Sequence, residues 1–203
     1  RRRAVDLARQ LPEPPLLFLN THPVELARPG LLESLGELRA KAPQVILSVM
    51  ENNETIAIQV EDNGSGIDAE TQKRVSDPFY TSRTRRKVGL GIPLFKQNAE
   101  LTGGHIELES TLGKGTNIKA VFIKTNIDCL PRGDLAQSVT LLMVGHPTVN
   151  FIFIYQYKNN YEISSDEIKE AVGEENFHNP KAIRLISEII HENLAVSGFE
   201  TDF

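Results

Sequence analysis

Glu61-Asp-Asn-Gly-Ser-Gly-Ile67 places a carboxylate, Asp62, at the end of a predicted strand, with two glycines one residue apart just behind it. Such glycines let the backbone turn sharply and approach a ligand closely. The carboxylate can accept a hydrogen bond from an exocyclic amine. Asp-Asn-Gly is also ordinary turn chemistry, so this motif alone leaves a plain loop open. Val88-Gly-Leu-Gly-Ile92 precedes a predicted helix through Leu94, Phe95, Asn98 and Leu101. Backbone N–H groups exposed at a helix start suit an anion, and the helix dipole favours phosphate there. Arg85, Arg86 and Lys87, immediately upstream, could neutralise phosphate charge, although a lone basic run is usually the mark of a solvated loop. A third stretch, Gly103-Gly104-His-Ile-Glu-Leu-Glu-Ser110 followed by Gly113-Lys-Gly-Thr116 and Asn117-Ile-Lys-Ala-Val-Phe122, reads as helix cap, strand, glycine turn and strand.

The elements that must hold these residues are legible on both sides. Leu16-Leu-Phe-Leu19 is a short apolar strand candidate, and Leu31, Leu32, Leu35 and Leu38 recur at helical spacing until Pro43. Val45 to Val49 is strand-like, Glu51-Asn-Asn-Glu54 is a hairpin turn, and Thr55 to Glu61 alternates as a strand with one buried face. Further on, Asp134 to Val144 predicts a helix and Phe151 to Tyr157 a strand, with Asn159-Asn160 turning into Tyr161-Glu-Ile163. Phe151, Phe153, Tyr155 and Tyr157 alternate on one face of that strand; they could stack on bases, but sheet packing is the expectation. Ser164 with Glu167 makes a capping box for a helix ending at Gly173. Asn179-Pro180 opens a final helix with Ile183, Ile186, Ile189, Ile190 and Leu194 on its apolar side. The chain thus divides into residues 1–47, 48–125 and 126–203.

Bulk properties narrow the function classes. The 203 residues are 40% hydrophobic and 24% charged, which suits a globular protein with a real core. A formal net charge of -5 offers no basic footprint, so no nucleic-acid partner is expected. Cys129 is the only cysteine, which rules out an internal disulfide framework and fits a reducing compartment. No apolar run reaches the ~18 to 20 residues of a membrane span. The reading is a cytoplasmic chain with no membrane partner. No initiator Met heads it, which reads as a fragment or an engineered product. No two histidines have metal-ligand spacing. His22 loosely echoes a phosphoacceptor box but precedes Pro23 in what reads as a loop.

The order of the motifs, strand–Asp-x-Gly-x-Gly, Asp77-Pro-Phe-Tyr-Thr81, Gly-x-Gly–helix, Gly-Gly–strand, Gly-x-Gly-Thr–strand, resembles the ATP-binding domain of histidine kinases over about Ser48 to Phe122. That family shares a superfamily with gyrase and mismatch-repair ATPases. The resemblance implies an α/β (α+β) two-layer sandwich, with helices on one face of a mixed sheet. It implies ATP or ADP with Mg2+ as cofactors. Asp62 would accept the adenine amino group. Gly64 and Gly66, with Ile67, would shape the adenine pocket, and Thr116 would hydrogen-bond near the base, directly or through water. Phe79 would belong to the mobile lid. Gly89, Leu90 and Gly91 would cradle the triphosphate, with Arg86 and Lys87 beside it. Residues 126–203 resemble the tail of small standalone kinase-like ATP-binding proteins.

The family's asparagine-bearing helix is where the pattern departs. Alignment puts Glu33 and Glu37 at its two key positions, i and i+4 on one helix face. Glu33 would resemble a general base, and Glu37 would stand where the metal-holding asparagine belongs. A glutamate can ligate Mg2+ but adds negative charge beside a triphosphate; two solvent-facing glutamates fit the same helix. Residues 1–47, through Leu16-Leu-Phe-Leu-Asn-Thr-His-Pro-Val-Glu-Leu26, resemble a strand–helix piece of an EAL domain, a cyclic-di-GMP phosphodiesterase barrel, with Asn20 matching a metal-ligand asparagine. One strand and one helix cannot build a barrel of about 200 residues or more. The expectation is an ATP/ADP-binding module with weak Mg2+-dependent ATPase or phosphotransfer activity and a signalling-protein partner of unknown identity. The alternative is an engineered or structural chimera, joined near Leu47 or Ser48, with no useful catalysis.

Overall fold

In a computed structural model, residues 42–74, 91–129 and 131–200 are described. The expectations placed on Asn20, His22, Glu33, Glu37, Phe79, Arg86, Lys87, Gly89 and Leu90 lie outside those residues. Among the described residues, six strands form one mixed sheet: β1 (Gln44–Glu51), β2 (Thr55–Asp62), β3 (His105–Thr111), β4 (Gly115–Ile123), β5 (Asn150–Gln156) and β6 (Asn160–Ser164). Their spatial order is β3-β4-β2-β1-β5-β6. All neighbouring pairs are antiparallel except β1 with β5, which run parallel from Gln44↔Asn150 to Met50↔Gln156. The helices are α1 (Ala69–Arg74), α2 (Gly91–Leu101), α3 (Leu135–Gly145), α4 (Ser165–Val172) and α5 (Pro180–Val196). This is the expected two-layer α/β arrangement on a mixed sheet.

Alternation along the strands decides which face is covered, because successive side chains point to opposite sides. Val45, Leu47 and Val49 of β1, Ile56, Ile58 and Val60 of β2, and Ile118, Ala120 and Phe122 of β4 all fall on one buried face. Phe151, Phe153 and Tyr155 of β5 continue it. The β5 aromatics are therefore core residues. The residues between them, such as Ser48, Gln59 and Lys119, are half-buried on the opposite face. Helix α2 buries Ile92, Phe95 and Ala99, and the Phe95 ring lies 5.6 Å from Phe122 at a 47° tilt. In α5 the buried stripe is Ile186, Ile190 and Leu194. Ile189, expected among them, is 42% exposed, because i, i+4, i+8 spacing turns position 189 outward.

Local capping chemistry sets the helix starts. The Asp134 carboxylate accepts from the Gln137 N–H at 2.8 Å and opens α3. Ser164 and Glu167 form the reciprocal capping box of α4, with Glu167 N donating to Ser164 Oγ at 3.2 Å and Ser164 N donating to Glu167 Oε2 at 2.9 Å. Asn179 caps α5 ahead of Pro180. Asn52 Oδ1 accepts from the N–H groups of Glu54 and Thr55 and closes the β1–β2 hairpin.

At the end of β1 remote from Asp62 lies a buried charge cluster. The Glu51 side chain is 1% exposed. Its Oε1 meets Lys124 Nζ at 2.5 Å and Arg132 Nη1 at 2.9 Å, and its Oε2 accepts from the Tyr155 hydroxyl at 2.9 Å. The Arg132 guanidinium also lies over the Phe199 ring, 5.4 Å from its centroid, and Tyr155 meets the same ring edge-on at 5.6 Å. Burial, followed by the Glu51 charge, holds the Tyr155 hydroxyl well above its ordinary pKa.

Tyr161 on β6 presents the opposite case. Its ring packs edge-on against Phe153 at 6.2 Å, and its hydroxyl is buried with no hydrogen-bond partner among the described residues. Burial first, and the Glu167 charge second, push its pKa up to about 12. A folded-state value raised above the unfolded one, about 10, gives stability that is present below pH 10 and lost as pH rises towards 12. Tyr161→Phe is expected to raise stability by about 1 kcal/mol at neutral pH, because it removes an unsatisfied buried group. It should also flatten the stability loss between pH 10 and 12. Urea melts at pH 7 and across that alkaline window check both; a destabilised variant would contradict the first.

Candidate functional site

The site is assembled at one end of the sheet, on the helix-covered face. Asp62 closes β2 and pairs directly with Thr116 of β4, which pairs with Ser110 of β3. Asp62 shares a face with Val60, Thr116 with Ile118, and Ser110 with Leu108. Three polar side chains from adjacent strands therefore lie in one row, beside the apolar Val60, Ile118 and Leu108 of the same face.

The segment after β2 folds back over this row. Asp62 Oδ1 accepts from the N–H of Gly64 at 2.8 Å, the usual way an aspartate turns its own chain. No donor among the described residues meets Oδ2. Asn63 Oδ1 accepts from Gln44 N at 3.0 Å and fastens the loop to the start of β1. The loop is also stitched to the β3–β4 hairpin. Ile67 N donates to Ser110 Oγ at 2.8 Å, and Gly113 N donates to the Ser65 carbonyl at 2.8 Å. Helix α1 follows, capped by Asp68, whose carboxyl is held below its ordinary range by the backbone and hydroxyl donors of Thr71. Gln72 Nε2 reaches the Leu108 carbonyl at 2.6 Å and ties α1 to β3.

Two glycines are fixed by this stitching. Gly66 has φ +62°, and a Cβ there would stand 2.1 Å from the Thr111 carbonyl oxygen. Gly115 has φ +111°, and a Cβ would meet the Asp62 carbonyl oxygen at 1.8 Å. Both positions exclude a side chain because loop and hairpin backbones touch.

Of the residues singled out in the sequence, Asp62, Gly64, Gly66, Ile67 and Thr116 are brought together here, and Gly91 opens α2. Ser110 was not singled out, although it sits at the centre of the contacts. Its signal was the register of the β3–β4 hairpin: a turn over residues 112–114 must set Ser110 opposite Thr116. Among the described residues, no group of three or more His, Cys, Asp or Glu is placed to hold a metal.

Residues 32–126 match the family described as histidine kinase-, DNA gyrase B-, and HSP90-like ATPase. That stretch is a domain of this family. The ATPase domain, an ATP-binding type, thus takes in β1 to β4, the Asp62 loop and the Ser110–Thr116–Asp62 row. Among the curated relatives, the chain is 34% identical over 115 residues to the alginate biosynthesis sensor protein KinB of Pseudomonas aeruginosa, covering 56% of this chain and 19% of KinB. It is 37% identical over 121 residues to the circadian input-output histidine kinase CikA of Synechococcus elongatus, covering 52% of this chain and 16% of CikA. Sensor protein SrrB of Staphylococcus aureus is 34% identical over 92 residues, 43% of this chain and 16% of SrrB. The chain thus spans less than one fifth of the length of these relatives. The ATPase-domain match begins at Leu32 and takes in residues 32–47, so neither an EAL-type origin for that stretch nor an engineered junction near Leu47 or Ser48 finds support. No helix among the described residues is long and apolar enough to cross a membrane.

Proposed function

We propose that the chain is an ATP/ADP-binding module of histidine-kinase type, with its purine pocket on the Ser110–Thr116–Asp62 row. The observation that carries the reading is the split use of the Asp62 carboxylate. One oxygen holds its own loop through Gly64 N, while the other meets no donor among the described residues and suits an exocyclic amine. Thr116, its cross-strand neighbour, adds a second polar atom at the same level of the pocket. Gly89, Leu90 and Gly91 would take the phosphates ahead of α2, with Arg86 and Lys87 offsetting their charge and Phe79 on the lid. Glu37 would hold Mg2+, which would supply charge neutralisation at the phosphates, and Glu33 would serve as base for weak in-line hydrolysis or phosphotransfer. A signalling-protein partner follows the pattern of the sensor-protein relatives.

Calorimetric titration of the intact chain with ATP and ADP, with Mg2+ present, tests the proposal. Both nucleotides should bind. Asp62→Asn replaces an acceptor by a group that can turn a donor towards the base, and should weaken binding roughly tenfold to a hundredfold, as loss of a charged hydrogen bond does. No binding of either nucleotide by the unaltered chain would overturn the reading.

A further inference from the structure

Ser110 Oγ has three neighbours whose roles can be assigned by valence. The Ile67 N–H, at 2.8 Å, can only donate. The Gly115 carbonyl, at 2.9 Å, can only accept. The third neighbour is Thr116 Oγ1 at 3.0 Å. A serine hydroxyl has one proton and two lone pairs. The proton goes to Gly115 O and one lone pair takes Ile67 N–H, so the remaining lone pair must receive the Thr116 proton. Thr116 is buried at 5% exposure, and its hydroxyl is left with lone pairs only. Beside it in the row stands Asp62, an acceptor by its charge.

We propose that Ser110 is a positioning residue that sets base specificity: by taking the Thr116 proton it makes the Thr116–Asp62 pair a purely accepting surface, which selects a 6-aminopurine over a 6-oxopurine. The inference rests on the nucleotide-binding reading above. An amino group at position 6 brings two protons to such a surface. A carbonyl at position 6 brings lone pairs against lone pairs, an unpaired contact of the kind that discriminates strongly between ligands of equal size. Without Ser110, the Thr116 proton is released and can rotate to serve a carbonyl, directly or through one water.

The test compares ATP with inosine triphosphate, which differs from it by a 6-oxo group and a proton on N1. Their dissociation constants are measured for the intact chain, Ser110→Ala, Ser110→Thr and Thr116→Val. The intact chain should prefer ATP. Ser110→Ala should reduce the preference roughly fivefold, the worth of one ordinary hydrogen bond, and Ser110→Thr should restore it. Placed on a Thr116→Val background, Ser110→Ala should leave the ratio unmoved. A serine that merely anchors the loop through Ile67 would lower both affinities together, and an unchanged ratio in Ser110→Ala overturns the proposal. Should that variant fail to fold, Thr116→Val alone decides, because it leaves the Ile67 and Gly115 contacts in place: an unchanged ratio there overturns the proposal equally. Failure of the unaltered chain to bind ATP would instead strike the nucleotide reading itself.

Discussion

Glu51→Ala is expected to cost about 3–5 kcal/mol of folding stability, the usual consequence of removing one partner from a buried ion cluster. The carboxylate meets both the Lys124 ammonium and the Arg132 guanidinium, and it accepts the Tyr155 hydroxyl as well. Its loss leaves two cations near one another and strands a buried hydroxyl proton. Glu51→Gln keeps the shape but surrenders the charge, and should lose a smaller part. Tyr155→Phe removes one neutral donor and should cost about 1 kcal/mol. Chemical denaturation of the three variants should rank them Glu51→Ala, Glu51→Gln, Tyr155→Phe, from most to least damaging. A Glu51→Ala protein within 1 kcal/mol of the parent would show that the cluster is solvated in solution.

The second large effect is expected at Gly115. Replacing it with alanine drives a methyl into the Asp62 carbonyl, 1.8 Å from where the Cβ must stand, and does so at φ +111°. The obstacle is backbone on both sides, so no side chain can swing away. Strain at such a φ costs about 1–3 kcal/mol, and overpacking about as much again. The chain can relieve the contact only by separating the end of β2 from the start of β4, which moves Asp62 away from Thr116. Gly115→Ala should therefore lower stability and weaken nucleotide binding together. Thermal melts with and without ATP read both. A variant that binds ATP as the parent does would show that the close approach is not needed by the site. Gly113, by contrast, has open space where a Cβ would stand, and only its φ of +76° opposes substitution.

Much of the architecture was written in local patterns. The strict alternation of Thr55 to Glu61, the Asn52 turn, the Ser164–Glu167 box and the Asn179-Pro180 start each became the element they foretold. These signals are short-range and need no knowledge of what packs on them. Long-range partnerships were not visible in the same way. Nothing in Phe151 to Tyr157 says that this strand will pair parallel to Gln44–Glu51, because parallel pairing follows from where the intervening chain returns. Glu51 read as a turn residue, and only its burial among Lys124, Arg132 and Tyr155 reveals its role. Ile189 read as core because five isoleucines and leucines compete for a stripe only wide enough for some of them. At the site, the aspartate–glycine motif was conspicuous because its chemistry is carried by consecutive residues. Ser110 was overlooked because its importance arises across strands, from hydroxyl geometry that a one-dimensional reading does not contain.

The parallel pairing of β5 with β1 has a consequence for where this protein can be cut. The family match ends at residue 126, yet β1, inside it, is hydrogen-bonded on one side by β2 and on the other by β5, which lies beyond it. Severed after 126, the chain would keep every recognisable signature of its family and lose the neighbour that shields one flank of a central strand. That flank would offer a row of unanswered amide and carbonyl groups, an invitation to self-association. Arg132 and Tyr155 would go with the lost segment, leaving Glu51 with Lys124 alone among the described residues. What ancestry marks as one module and what physics requires for solubility are, in this protein, different lengths of polypeptide.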